Sequence, residues 1–291
     1  MYSNKLYTPL RYPGGKARFA PFISDLMHVN GLHGGHYLEP YAGGAGVALE
    51  LLFHDFASHI HINDVDPAIN SFWTATIRHT EEILRLLHDT PVTMEQWFRW
   101  RSIMRGEVDS TLVEQGFATL FMNRTNRSGI LKAGVIGGLK QAGEYRLDAR
   151  LDKPTLTARI QRIARYADRI SVYAEDAFEL LSRCKDFLPS NSLIYLDPPY
   201  YVKGRDLYRN FYHHNDHLRI ANLIQSEKFE RQWIVSYDNA EEIRGMYRGS
   251  EMLLYSLKYT AQKRYDGNEV MFFSSGIQVR SERMPSLATQ I

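Results

Sequence analysis

His36-Tyr37-Leu38-Glu39-Pro40-Tyr41-Ala42-Gly43-Gly44-Ala45-Gly46 begins as a short strand and runs into a turn of small residues. His36–Glu39 reads as the strand and Tyr41–Gly46 as the turn, with a helix through Val47–Phe56. In that helix Val47, Leu51 and Phe53–His54 fall at near-helical spacing, and their apolar neighbours predict burial on more than one side. Ser58–Ile62 alternates His-Ile-His-Ile, a strand ending at Asn63–Asp64, and Pro67 suits the first turn of a helix reaching about His79. Strand, turn, helix, strand, helix predicts a parallel, doubly wound sheet of the α/β class.

Further along, the alternation stops. Helical stretches at Glu81–His88, Met94–Ile103 and Thr111–Asn123 precede a glycine-punctuated basic segment, Ser128–Arg150, and an amphipathic helix at Lys153–Ala167. Alternation resumes at Ile170–Tyr173, Ala177–Leu181, Ser192–Leu196, Asp216–Glu227, Gln232–Ser236, Asn239–Met246, Glu251–Leu257 and Glu269–Ser274. The simplest account is a sheet domain, residues 1–80 and 168–280, interrupted by a mostly helical domain at 81–167 and followed by a frayed tail, 281–291. Between Phe117 and Ile170, 11 Lys and Arg face 4 Asp and Glu, a net +7 in a chain whose total is +2. A block this basic points to a polyanion partner; a solvated helix face is the alternative.

Composition removes several classes. At 44% hydrophobic and 23% charged residues, the 291-residue chain is not wholly disordered. No apolar run approaches the roughly 20 residues of a membrane span, and the start lacks a secretory apolar region. Cys184 is the single cysteine, which excludes an internal disulfide and a cysteine-built zinc site. The expectation is a soluble protein of the reducing cytoplasm, without a membrane partner.

Two motifs carry chemistry. The Tyr41–Gly46 turn lets a ligand approach the backbone, and Asp64 stands 18 residues beyond Gly46, about where nucleotide-binding sheets place an acceptor for ribose hydroxyls. Lys and Ser/Thr are missing where a P-loop needs them, so the expected ligand is an adenosine without a triphosphate. In Leu193-Ile194-Tyr195-Leu196-Asp197-Pro198-Pro199-Tyr200, an apolar strand ends in a carboxylate, two prolines and an aromatic ring. The prolines fix φ and remove donors, so the Pro198 carbonyl and the Asp197 carboxylate form two neighbouring acceptors that match the two hydrogens of an exocyclic NH2. Tyr200 offers a stacking face, a contact worth about 1–3 kcal/mol per base.

With Arg11-Tyr12-Pro13-Gly14-Gly15-Lys16, Asn63-Asp64-Val65-Asp66, Asn123-Arg124, Asp176 and Ser236-Tyr237-Asp238-Asn239 added, the chain resembles almost end to end the Dam-type (D12 class) DNA adenine-N6 methyltransferases. The resemblance implies a Rossmann-like class I methyltransferase sheet with helices on both faces and an inserted target-recognition domain. It implies S-adenosylmethionine as cofactor, no metal, and double-stranded DNA as partner, sometimes beside a cognate restriction endonuclease. Tyr12, Gly14 and Lys16 would bound the methionine part of the cofactor, and Glu39, Pro40, Tyr41, Gly43, Gly44 and Ala45 would pass beneath it. Asp64 would take the ribose hydroxyls, and Asp197 would also border the cofactor. Asp176 would accept from the cofactor's adenine, or else cap the helix that follows. Many relatives have glycine at the position of Ala45.

Asp197, Pro198, Pro199 and Tyr200 would receive an everted adenine. Tyr201, Tyr208, Phe211 and Tyr212, with Lys203, Arg205 and Arg209, would close over nucleic acid, with core packing the alternative for at least half of the aromatics. Asn123, Arg124, Asn126 and Arg127 are residue types that pair with base edges, and Lys132 and Lys140 would meet phosphates. Gly129–Gly143 reads as a hairpin or a loop that orders on DNA. Cys184 is expected to be inert. Methylation of cytosine N4 or RNA adenine, and a catalytically silent DNA-binding regulator, stay open as alternatives.

Overall fold

Seven strands form one sheet in the computed structural model of the chain, which describes residues 7–11, 16–202, 212–259 and 265–280. They are β1 (His36–Glu39), β2 (His59–Asn63), β3 (Ile170–Tyr173), β4 (Leu193–Leu196), β5 (Gln232–Asp238), β6 (Glu251–Tyr259) and β7 (Tyr265–Phe273), in the order β3-β2-β1-β4-β5-β7-β6. β1 pairs in parallel with β2 and β4, and β4 with β5. The expectation of a wholly parallel sheet fails at one edge, where β7 is antiparallel to both β5 and β6. The physical reason is length: only residues 260–264 separate β6 from β7, and a parallel crossover needs a dozen or more. The fold is α/β and Rossmann-like. The chain winds outward in opposite directions from β1 and β4, so their carboxyl ends flank the crevice where such sheets take ligands.

Helix α2 (Gly46–Phe53) joins β1 to β2, and every residue from Val47 to Phe53 is buried. Apart from Glu50, itself 5% exposed, α2 is apolar around its circumference, in line with the burial on more than one side that its sequence predicted. The other helices are α1 (Ala20–Val29), α3 (Pro67–Arg78), α4 (Thr80–Asp89), α5 (Met94–Met104), α6 (Leu112–Thr125), α7 (Lys153–Ala164), α8 (Ala177–Ser182), α9 (His214–Ile224) and α10 (Glu241–Met246). Their starts follow local chemistry. Asp66 accepts from the Ala68 N–H with Pro67 at the first position, and Thr111 and Glu114 complete a capping box on α6. No helix among the described residues is long and apolar enough to cross a membrane.

The chain divides into two compact units. The sheet unit holds residues 16–65 and 173–280 of the described chain, and its core includes Leu38, Ile194, Leu196, Val235, Tyr237 and Phe272. The second, helical unit holds 7–11 and 66–172. α3, grouped with the sheet in the sequence reading, falls in the second unit because it packs along α6. Gly116 allows that crossing: a Cβ there would stand 2.6 Å from the Ser71 carbonyl oxygen and 2.9 Å from the Ala75 Cβ. Gly116→Val is expected to force α3 and α6 apart and cost about 2 kcal/mol, read as a fall of several degrees in Tm; an unchanged Tm would mean that the crossing yields freely.

A candidate active site at the ends of β1 and β4

The turn after β1 is held by three polar side chains, Glu39, Asn63 and Asp64. Glu39 Oε1 accepts from the Ala48 N–H at 2.9 Å and from the Tyr37 hydroxyl at 3.2 Å, bracing the turn against α2. Burial raises the Glu39 pKa to about 8, against the hydrogen bonds from Ala48 and Tyr37 that favour its ionised form. Asn63, 1% exposed, donates to the Pro40 and Glu175 carbonyls and accepts from the Glu175 N–H, tying the turn after β1 to the segment after β3. Asp64 Oδ2 takes the Gly43 N–H at 3.0 Å. Gly43 and Ala45 both sit at φ 47°, left-handed backbone. For Ala45 that conformation costs about 1–2 kcal/mol. A Cβ on Gly46 would stand 2.9 Å from that of Ala17, so the segment after Lys16 lies directly on the turn.

At the end of β4, Asp197 keeps its side chain 27% exposed, whereas its partners are interior. Its Oδ1 accepts from the Ser236 hydroxyl at 2.8 Å and lies 3.6 Å from Lys16 Nζ. Burial has the largest effect on the Asp197 pKa and raises it, opposed by Lys16 and reinforced by Glu269. Lys16 Nζ donates to Glu269 Oε2 at 2.7 Å and to the Tyr200 hydroxyl at 3.0 Å. Glu269 also accepts from Tyr200 (2.7 Å) and Tyr255 (2.6 Å). Beyond the motif, both Asp238 oxygens fasten the chain, accepting from the Tyr201 N–H at 2.8 Å and the Val202 N–H at 2.9 Å.

These groups suit an adenosyl sulfonium. The turn bears nothing larger than a methyl from Ala42 to Gly46, Asp64 is a carboxylate with about four acceptor positions at the end of β2, and the Lys16 cluster has more carboxylates than cations. Asp176 is exposed and caps α8 through the Phe178 N–H, the alternative weighed for it. Tyr12 and Gly14 lie outside the described residues, as do Lys203, Arg205, Tyr208, Arg209 and Phe211. Tyr41 and Tyr212 join hydroxyls at 3.0 Å, and with Tyr201 they pack against the core, so neither Tyr201 nor Tyr212 is a loose lid residue. Cys184 is buried with its pKa raised to about 11, an inert thiol.

Two expectations need correction. Tyr200 is 6% exposed with its hydroxyl held by Lys16 and Glu269, so its ring is not an open stacking face. Asn123, Arg124 and Asn126 are interior and do not read bases. Asn123 clamps Arg11, accepting from its N–H at 2.7 Å and donating to its carbonyl at 2.8 Å, and also donates to the Gly129 carbonyl. Arg124 donates to the Pro9 carbonyl, and burial lowers its pKa to about 9. Asn126 accepts from Trp97 Nε1 at 2.8 Å. The sequence held a signal for this: Phe117–Met122, apolar but for Thr119, carries no charged residue on any side of α6, which places the polar residues directly after it in the interior too. Arg127, Lys132 and Lys140 are exposed. Residues 129–143 form turns closed by a single bridge, Asn126 to Val135, and not a hairpin. The signal for Glu269 was a lone carboxylate heading the apolar run Val270–Phe273.

Comparison with solved structures gives distant likenesses. A candidate RNA methyltransferase from Pyrococcus horikoshii aligns over 94% of this chain and 89% of its own, at 10% identity and a TM-score of 0.42. A candidate class I S-adenosylmethionine-dependent methyltransferase from Listeria monocytogenes aligns over 91% of this chain and 64% of its own, at 9% identity and a TM-score of 0.35. A Legionella pneumophila protein aligns over 89% and 86%, at 14% identity and a TM-score of 0.31. Similarity this low bears on neither substrate nor mechanism. No curated protein matches the chain significantly. The family model of the D12 class N6 adenine-specific DNA methyltransferases, however, matches residues 12–264, a span containing the turn, Asp64 and the Asp197–Tyr200 motif, and the chain belongs to that family.

Proposed function

We propose that this adenine-specific methyltransferase acts on N6 of adenine in double-stranded DNA, on a base turned out of the helix. The observation that carries the reading is Asp197, a partly open carboxylate at the end of a buried strand, followed by the constrained Pro198 carbonyl. The adenine N6 lone pair is delocalised into the ring and is a poor nucleophile. Asp197 and the Pro198 carbonyl take one hydrogen each, which favours a more tetrahedral nitrogen and stabilises the positive charge growing on it. Ser236 and Lys16 fix the carboxylate beforehand, so little reorganisation accompanies the reaction. When bound, S-adenosylmethionine supplies an already activated methyl group. Lys16, the Tyr41–Gly46 turn and Asp64 would hold it, and Asp176, which caps α8, would have acceptor capacity left for the amino group of its adenine. An amine inside a duplex cannot reach a carboxylate so placed, which is why the base must be everted.

The helical unit is the DNA-recognition part in this reading, with Arg127, Lys132 and Lys140 as phosphate contacts. Changing these three to glutamine is expected to weaken DNA binding evenly across sequences, lowering the salt slope by about one for each positive charge removed. Altered site preference in a binding panel would contradict the assignment. Asp64→Ala is expected to raise the cofactor's Kd about tenfold, the loss of roughly one charged hydrogen bond; calorimetry showing unchanged affinity would remove Asp64 from the site. Labelled-methyl incorporation into duplex DNA tests the reading as a whole. Label on the DNA is expected, and binding without incorporation would favour a silent regulator.

A further inference from the structure

Both ion pairs that Asp197 and Glu269 make among the described residues are with one ammonium, and its distances are unequal. Lys16 Nζ stands 2.7 Å from Glu269 and 3.6 Å from Asp197. Glu269 is 1% exposed and lies on β7, the antiparallel strand, away from the Asp197–Tyr200 motif in sequence. It holds Lys16, Tyr200 and Tyr255 at once. Two carboxylates, Asp197 and Glu269, share this one cation. We propose that Glu269 is a positioning residue that engages the charge of Lys16, so that Asp197 faces the crevice as a carboxylate Lys16 does not neutralise.

The consequence is specific. Without the Glu269 charge, Lys16 turns its full attraction on Asp197, whose carboxylate then accepts from an amine less strongly and offsets less of the positive charge growing there. The groups that act electrostatically on Asp197 are Lys16 and Glu269, with Glu39, Tyr37, Tyr195 and Tyr255 around them. Of these, Lys16 favours the ionised form of Asp197 and Glu269 opposes it. Removing the Glu269 charge therefore makes Asp197 easier to ionise and yet a poorer acceptor.

The kinetic part of the test rests on the methyl-transfer reading above; a titration of the unliganded protein does not. Glu269→Gln keeps the hydrogen-bonding shape and removes the charge. It is expected to lower the plateau kcat about tenfold and move the acid limb of the kcat profile to lower pH, with the cofactor Kd within about twofold of wild type. The Asp197 carboxyl resonance, followed by carbon NMR in free protein, shifts its midpoint in the same direction. Tyr255→Phe, which removes a hydrogen bond to Glu269 without changing charge, leaves limb and midpoint in place. Lys16→Met combined with Glu269→Gln moves both back up from the single variant. A limb and midpoint that coincide in wild type and Glu269→Gln, or that stay low in the double variant, would overturn the proposal. A lower Tm and kcat with an unmoved limb would show a merely structural role and overturn it equally. Should Glu269→Gln not fold, Lys16→Met carries the test with opposite sign, the Asp197 midpoint rising; a midpoint that stays put rejects the proposal. Wild-type protein that transfers no methyl to DNA adenine would sink the functional reading alone, and the NMR midpoints would still decide the role of Glu269.

Discussion

Asp197→Ala is expected to lower kcat for methyl transfer by about a thousandfold or more while changing the cofactor's Kd less than about threefold. The substitution removes the acceptor aimed at the target amine, leaves the Tyr41–Gly46 turn and Asp64 untouched, and leaves Lys16 its closer partner, Glu269. Asp197→Asn is expected to fail nearly as badly, because an amide places a donor or a neutral oxygen where a carboxylate is needed. Titration calorimetry with the cofactor, beside single-turnover methylation, separates the two quantities. Loss of cofactor affinity in parallel with rate would mean that Asp197 belongs to the cofactor pocket and not to the amine.

Asn123→Ala is expected to cost about 3 kcal/mol of stability, from three hydrogen bonds that a buried amide makes to the Arg11 backbone and the Gly129 carbonyl. Removing the amide leaves buried backbone polar groups without a partner and frees the strip at residues 8–11, which Arg124 and Arg159 also hold through the Pro9 and Thr8 carbonyls. Chemical denaturation should show the loss as a lowered midpoint. A variant of full stability whose sequence preference has changed would restore the base-reading role that the sequence suggested.

What the sequence made legible was local. β1, its small-residue turn and α2 follow from four residues of strand pattern, a run of Ala and Gly, and an apolar helix, and they lie where expected except that α2 ends at Phe53 rather than Phe56. Asp197-Pro198-Pro199-Tyr200 behind an apolar strand was equally readable, because its chemistry is carried by adjacent residues. The missed features are made by distant ones. Glu269 reaches Lys16 across 253 positions only because β7 inserts beside β5 in antiparallel sense, a pairing invisible to strand periodicity. Asn123, Arg124 and Asn126 misled in the opposite way: their types suit base edges, but the apolar circumference of α6 had already placed them inside. Tyr200 was right in position and wrong in posture, since its hydroxyl is drawn inward by a carboxylate that no local motif announces.

The central claim is that the acceptor pair at the end of β4 serves the exocyclic amine of adenine in DNA. The most direct measurement is mass spectrometry of nucleosides released from duplex DNA and, separately, from RNA after incubation with the protein and isotopically labelled S-adenosylmethionine. The account predicts labelled N6-methyldeoxyadenosine from the duplex, and none when Asp197 is alanine. Label found only in N4-methyldeoxycytidine, or only in nucleosides from RNA, would contradict it.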